Sequence, residues 1–497
     1  MGSEFSTDNL NRQRRAGILL HPTSLPGPYY GGDIGHGAYR FIEFLSASGF
    51  KVWQVLPMGP THEDRSPYQC LSAHAGNPLL VSLDWLEDRG WLNKNGIDSA
   101  FDKESFRLAC LHQAGDYFYK QADKKWLKKL SQFVEANKLW LDEYALFIAF
   151  KKKYNNLPWY EWPKGERHCD KNIIEQARDS LKDTIRQTVF EQFCFFTQWH
   201  EVREYAKQHK VEIFGDMPIF VARDSADVWA QRKNFLMDVE GNMQHVAGVP
   251  PDAFTETGQR WGNPLYDWDY MQQTHFEWWK QRFESQLRLF DIVRIDHFRG
   301  LQASWYIPAS DETAINGEWV VVPGQKLLEE MFASFENLPL VAEDLGVITD
   351  DVIKLKRHFK LPGMKVLQFA FDGNSLNPHL PHMHEQNDLV YSGTHDNDTT
   401  PGWAENTANY NLDYFNAYAS VDNSKVEQRV WEILKMTLSS VSFLAIIPMQ
   451  DILLLGSDSR MNFPGTTEGN WSWRFDWQQL NPAAKDKISN MLKTYGR

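Results

Sequence analysis

The 497-residue chain predicts an α/β fold: a (β/α)8 TIM barrel with a large helical insertion and an active-site loop subdomain. Three observations predict it. Short apolar runs recur along the chain, helical patterns fall between several of them, and several runs end in acidic or other polar residues.

The runs cover residues 16–21, 51–57, 211–216, 291–296, 338–344, 364–372, 388–396 and 443–451. Those rich in β-branched residues, such as DIVRID, PLVAED and FLAIIPMQD, read as parallel strands buried on both faces. Helical periodicity lies between runs at 38–48, 271–289, 325–335 and 350–359. The spacing is uneven. Roughly 150 residues separate the second and third runs, against ~30 for a plain βα unit. That stretch shows helical patterns at 101–128, 130–154 and 171–207, so 72–209 is expected to be a mainly helical insertion subdomain. The barrel is then expected to take 12–71 and 210–497. Within it, 217–270 is rich in Gly, Pro and aromatics (GVPPDAFTETGQRWGNP) and is expected to form an ordered substrate-covering loop region.

Composition narrows the class. Hydrophobic residues make up 42% and charged residues 24%, a globular balance. A net charge of −13 argues against nucleic acid or an anionic membrane as partner, since both repel an acidic surface. No apolar run is long enough to span a bilayer; the longest, 441–455, is interrupted by Pro448, Gln450 and Asp451. The four cysteines, Cys70, Cys110, Cys169 and Cys194, form no CxxC pair and read as buried reduced thiols. No signal peptide is legible, and residues 1–5 read as a cloning scar. A cytoplasmic location is expected, or a plastid stroma after loss of a targeting peptide. No cofactor or metal is expected; His379, His382 and His384 lack a ligand spacing and sit among prolines. No G-x-S-x-G elbow, P-loop or G-x-G-x-x-G is present. The 20 Trp are expected mostly in the core, with an aromatic cleft for sugar rings as the functional alternative.

In a barrel, chemistry sits at the carboxyl ends of the strands. Asp216, Asp296, Glu343 and Asp396 each close an apolar run, so each should reach the mouth from a rigid element. One such Asp is usually a turn former or a helix cap. Four converging carboxylates repel one another and lose hydration, so a fold gains little by gathering them without a task. Metal binding and glycoside chemistry both use such clusters. A Mg or Ca site needs oxygen ligands and no adjacent cation. Here Arg294 lies two residues before Asp296, on the same strand face, and His395 precedes Asp396. A guanidinium beside a carboxylate favours its charged form, as a nucleophile requires. That tilts the reading toward glycoside chemistry, with one carboxylate as nucleophile and a second as acid.

The strings HPTSLPGPYYGGDIG, VWQVLP, SPY, GDMPIFVARDSADVW, GVPPDAFTETGQRWGNPLYDW, VRIDHFRG, VAEDLG, GTHDNDTT and RMNFPGT resemble the 4-α-glucanotransferases, also called amylomaltases or disproportionating enzymes, of the α-amylase clan. The resemblance implies α-1,4-glucans as substrates (maltooligosaccharides, amylose, starch), glucose as an acceptor, and a retaining mechanism. It implies Asp296 as nucleophile, Glu343 as general acid/base and Asp396 as the third carboxylate, on the sugar hydroxyls. Arg294 and His395 match positioning residues, Tyr68 an aromatic near the same sugar, and Asp216 a support. Asp252, Phe254, Gln259 and Trp261 match the family's substrate-covering loop, and Asn462 falls in a further matched motif, RMNFPGT. Where some relatives carry Tyr before that Phe, this chain has Ala253. A retaining pair stands ~5–5.5 Å apart, a distance neighbouring barrel strands provide. Glu343 should have a raised pKa. Two alternatives are an α-amylase-like maltodextrin hydrolase and a non-catalytic maltodextrin-binding protein on the same barrel.

Overall fold

The computed structural model describes residues 13–27, 31–94, 103–251, 255–422, 424–466 and 468–497. The strands among them are β1 (Arg15–Leu19), β2 (Val52–Gln54), β3 (Glu212–Met217), β4 (His245–Val249), β5 (Gln259–Pro264), β6 (Ile292–Ile295), β7 (Ala303–Pro308), β8 (Glu318–Val321), β9 (Leu340–Ala342), β10 (Gly363–Val366), β11 (Asp388–Tyr391) and β12 (Leu444–Pro448). Eight of them form one sheet in the order β10–β11–β12–β1–β2–β3–β6–β9. Every pairing in it is parallel, and the sheet curls into a nearly closed barrel. Each of these strands falls on one of the eight apolar runs.

The period of two decides which side chains fill the barrel. Val52, Phe214, Ile292, Val341, Leu389 and Leu444 form one buried cluster. Their chain neighbours Trp53, Ile213, Val293, Leu340, Val390 and Ala445 belong to a second cluster, shared with the surrounding helices. The barrel therefore has an inner core and an outer shell, as expected when strands are apolar on both faces.

The circle closes between β9 and β10 without a regular ladder. Ala342 N–H donates to the Pro362 carbonyl at 2.9 Å. The carboxylate of Asp344 then takes the place of a strand carbonyl: it accepts the Met364 N–H at 2.7 Å and the Lys356 ammonium at 2.5 Å. A Cβ on Gly363 would lie 2.4 Å from both Asp344 Oδ2 and Lys356 Nζ, so a larger residue there would push this pair aside.

The helical patterns are present but broken. The pattern at 101–128 becomes Lys103–Gln121 and Lys124–Ala136, separated where Asp123 caps the second helix by accepting Trp126 N–H. Asn137 begins the next helix, Lys138–Lys153. The pattern at 171–207 splits into Lys171–Ser180 and Lys182–Gln208 at Leu181. The pattern at 271–289 is interrupted by His275 and Phe276, both in the left-handed region. Periodicity continued through each break because the apolar face resumes on the far side.

The stretch expected as a covering loop differs more. It contributes β4 and β5 to a four-stranded antiparallel sheet, β5–β4–β7–β8, whose other two strands follow β6 in sequence. Register shifts between Val246 and Gly248, a bulge. Gly and Pro in GQRWGNP mask this strand in a propensity reading.

Cys70, Cys110, Cys169 and Cys194 are free; Cys110 and Cys194 are buried, whereas Cys70 and Cys169 are only partly so. His382 and His384 bond to Tyr418, Ser375, Ser440 and His379 and so fasten their loop. Among the described residues, no helix is long and apolar enough to cross a membrane.

Phe214 fills the inner core at 0% exposure. Phe214→Ala is expected to destabilise the fold by about 3–5 kcal/mol, from lost transfer energy and the cavity left behind. Denaturant unfolding should show a lower midpoint with an unchanged slope; an unchanged midpoint would mean the interior collapses freely around the gap.

Candidate active site

Phe214 and Ile292 are paired in register and both face the barrel interior, so their successors by two, Asp216 and Arg294, face it as well. Asp216 and Arg294 are themselves register partners. One step of two further on, Asp296 follows the end of β6. Ile295 pairs with Ala342, so the next residues on each strand are Asp296 and Glu343. Adjacent strands lie ~4.7–4.9 Å apart. The two carboxylates thus leave the sheet side by side from neighbouring strands, the arrangement a retaining pair uses.

Arg294 binds two of the acids. Its Nη1 donates to both oxygens of Asp216, at 2.8 and 2.7 Å, and to Asp296 Oδ1 at 2.8 Å. Side-chain exposure is 6% for Arg294, 0% for Asp216 and 27% for Asp296. Burial works against the guanidinium charge, but Asp216 and Asp296 overcome it and hold its pKa well above the usual value. Burial pushes the Asp216 carboxyl up, and Arg294 opposes that. Asp216 Oδ2 also accepts the Tyr68 hydroxyl at 2.8 Å. Burial and the Asp216 charge raise the Tyr68 pKa, so the phenol stays a donor.

Glu343 is nearly buried and receives two backbone donors, His297 N–H at 2.7 Å and Leu345 N–H at 3.0 Å. Burial raises its pKa most; Asp296 adds to the rise, while Arg294 and the two amides oppose it. The result is a carboxyl pushed up to about 7. His297 itself adopts the left-handed conformation, φ 51°.

Asp396 is held differently from the strand-end delivery expected of it. Strand β11 ends at Tyr391, and Asp396 lies in the following loop with its side chain 47% exposed. The loop is tied by Asn397 Oδ1, which accepts both the N–H and the hydroxyl of Thr394 at 2.8 Å. Asp396 Oδ1 accepts Asn462 Nδ2 at 2.6 Å, and Oδ2 lies 3.3 Å from His395 Nε2. Partial loss of hydration in the cleft raises its pKa, but His395 and Asn462 outweigh that and hold the carboxyl at about 2. Burial lowers the His395 pKa and Asp396 more than restores it.

Aromatic rings wall this corner. Tyr68 stacks on His395 with centroids 5.2 Å apart and planes at 18°. Trp471 contacts both rings, at 6.0 Å from Tyr68 and 5.9 Å from His395. Gln259 and Trp261 stand on β5 rather than on a loop; Trp261 donates to Gln259 Oε1 at 3.0 Å and packs edge-on against His297. Asp252, Ala253 and Phe254 lie outside the described residues.

The structure thus brings Tyr68, Asp216, Arg294, Asp296 and Glu343 into one connected group, and joins His395, Asp396 and Asn462 to it through Tyr68. Sequence reasoning missed Trp471, Arg460 and the amide of His297. Arg460 donates to the Asp396 carbonyl at 3.0 Å. Trp471 carried no signal among so many tryptophans. His297 did have one, since it immediately follows Asp296.

The chain matches the family model described as 4-alpha-glucanotransferase over residues 20–480. It is 45% identical to the 4-alpha-glucanotransferase of Synechocystis sp. over 98% of each chain. It is 44% identical to that of Thermus thermophilus, over 97% of this chain and 99% of that protein. The solved amylomaltase of Streptococcus agalactiae in complex with acarbose is similar in fold, with TM-score 0.92 and 34% identity over 98% of this chain and 100% of that one.

Replacing Arg294 by Met strands the Asp216 charge in the barrel. Arg294→Met is expected to lose about 3–5 kcal/mol of stability. Adding Asp216→Leu should recover most of it, because the orphaned charge is then gone. Equal stability of the single and double variants in chemical unfolding would contradict the buried-pair argument.

Proposed function

The chain belongs to the 4-alpha-glucanotransferase family, a transferase of glucans, and we propose that it moves α-1,4-glucan segments from a donor to another glucan or to glucose by double displacement, with Asp296 as nucleophile. The observation that carries this assignment is the Arg294 bridge. It holds Asp296 at 2.8 Å, while burial, aided by Asp296 and against the pull of Arg294, pushes the Glu343 carboxyl on the neighbouring strand up to about 7. Two like groups with divergent environments are what an acid and a nucleophile require.

In the first half-reaction, Glu343 gives its proton to the glycosidic oxygen as Asp296 attacks the anomeric carbon. The C1–O4 bond breaks, the shortened glucan leaves with a free 4-hydroxyl, and an ester joins Asp296 to the sugar. In the second, Glu343 as carboxylate takes the proton of an incoming 4-hydroxyl. That oxygen attacks C1, the ester breaks, and the α-configuration returns. Asp396 and His395 bind sugar hydroxyls, with Asp396 a pure acceptor, as its low pKa allows. Tyr68 offers its ring and Asn462 sets Asp396. Trp261 and Gln259, on β5, are assigned to the acceptor side, where a stacking surface and exclusion of water favour a sugar over water. Asp252 and Phe254 are assigned to the same side by the motif alone. Asp216 acts through Arg294.

Incubation with maltotriose should yield glucose plus longer oligosaccharides. Shortened sugars alone would mean hydrolysis, and binding without turnover would mean a binding protein. Asp296→Ala should lower turnover by at least about 10⁴-fold with the unfolding midpoint retained; persistent activity would refute the assigned nucleophile.

The acid step needs protonated Glu343. With the carboxyl at about 7, kcat/KM should fall on the alkaline side, by about tenfold per pH unit above that value. Glu343→Gln should lose about 10²–10⁴-fold and, in its residual rate, lack that alkaline limb. A wild-type profile flat from pH 6 to 9 would sink the assignment.

A further inference from the structure

Asp296 and Glu343 directly follow strands, but Asp396 stands on a loop with half of its side chain exposed, so packing alone does not fix it. A second segment, beyond β12, reaches across to hold that loop. Asp451, in the short helix Met449–Ile452, is 0% exposed. Its Oδ2 accepts the hydroxyls of Ser392 at 2.7 Å and Thr400 at 2.6 Å. Its Oδ1 accepts the Thr400 N–H at 2.6 Å. Ser392 is the first residue after β11, and Thr400 begins the helix Thr400–Glu405. One carboxylate therefore grips both ends of the loop that carries His395 and Asp396.

The same segment touches the loop at three more points. Ser457 donates to Asp398 Oδ2 at 2.9 Å, Arg460 to the Asp396 carbonyl at 3.0 Å, and Asn462 to Asp396 Oδ1 at 2.6 Å. Gln368, on the other side, donates to the Asp398 carbonyl at 2.8 Å.

Burying a carboxylate away from solvent is unfavourable unless its lone pairs are filled. Here three donors occupy all but one of its roughly four lone-pair sites. An Asn has one acceptor oxygen and would turn an N–H₂ toward the hydroxyls, so it cannot receive all three bonds. The acid is thus matched to gripping the loop, whereas packing alone would be better served by an apolar side chain.

We propose that Asp451 is a positioning residue for glucan transfer, which sets the place of Asp396 against the reacting sugar by clamping both ends of the 392–400 loop. The inference rests on the proposed role of Asp396 in binding that sugar. Asp451 itself does not touch substrate.

A double-mutant cycle tests it. Wild type, Asp451→Asn, Asp396→Asn and the double variant are compared for glucose release from maltotriose, with thermal midpoints measured alongside. In the wild-type background, Asp451→Asn should lower kcat by about 10-fold or more, with KM changed less than about 3-fold. In the Asp396→Asn background, the same change should move kcat by less than about 2-fold, while the midpoint falls equally in both. An equal kcat factor in both backgrounds would reduce Asp451 to a general structural role and overturn the proposal. So would a kcat within about 2-fold of wild type for Asp451→Asn alone. Should Asp451→Asn fail to fold, Ser392→Ala with Thr400→Val removes the two hydroxyl bonds of the same clamp from the loop side, leaving the Thr400 N–H bond, and is read by the same two criteria. An Asp396→Asn variant of full activity would instead refute the role of Asp396.

Discussion

Within the barrel, the Arg294 guanidinium donates to Asp216 on β3 and to Asp296 at the end of β6, all at 2.7–2.8 Å. Neither Asp216 nor Arg294 has appreciable contact with water, so each is tolerable there only with the other. The consequence reaches beyond the pair. Asp296 shares the same nitrogen, and its position is therefore referred to the barrel interior and not to a mobile rim. Asp216 also accepts the Tyr68 hydroxyl, and Tyr68 stacks on His395, which faces Asp396. A chain of contacts thus runs from one buried ion pair to two of the carboxylates at the mouth, Asp296 and Asp396.

The acids then diverge by environment. Glu343 is dry and close to Asp296, and burial dominates its shift upward. Asp396 meets His395 and Asn462 and shifts downward. The same functional group serves as proton donor in one place and as fixed acceptor in another. Asp344 adds a mechanical element. By substituting for a backbone acceptor at the β9–β10 seam, it anchors the residue next to Glu343 at the one place where the barrel ladder is incomplete.

The rim is built differently from the barrel. Gln259 and Trp261 stand on a strand of the antiparallel sheet, and Trp261 packs against His297, whose amide holds Glu343. Asp396 stands on a loop fastened by residues from beyond β12. Two carboxylates inherit their placement from strand geometry; the third depends on side chains that lie far away in sequence.

Much of the fold was legible because burial on both faces leaves continuous apolar runs, and the acids at their ends mark the barrel mouth. Asp296 and Arg294 could be placed on one face by the period of two alone. The antiparallel sheet was not legible, because β4 and β5 carry Gly or Pro and its strands come from either side of β6. The breaks at Asn137 and Leu181 were hidden for another reason: an apolar stripe continues across a kink when both helices face the same core. Asp451 closes the eighth apolar run as the other acids close theirs, but its clamp on Ser392 and Thr400, like the contacts of Trp471 and Arg460, was not legible, since each acts on a partner far along the chain. Sequence by itself determined the barrel strands and the identity of the acids at their ends, since strand burial and side-chain alternation are local properties. Tertiary structure alone decided which acid pairs with Arg294, which is dried and shifted upward, and how Asp396 is held. Those outcomes depend on distance and dielectric between residues that the chain brings together only on folding.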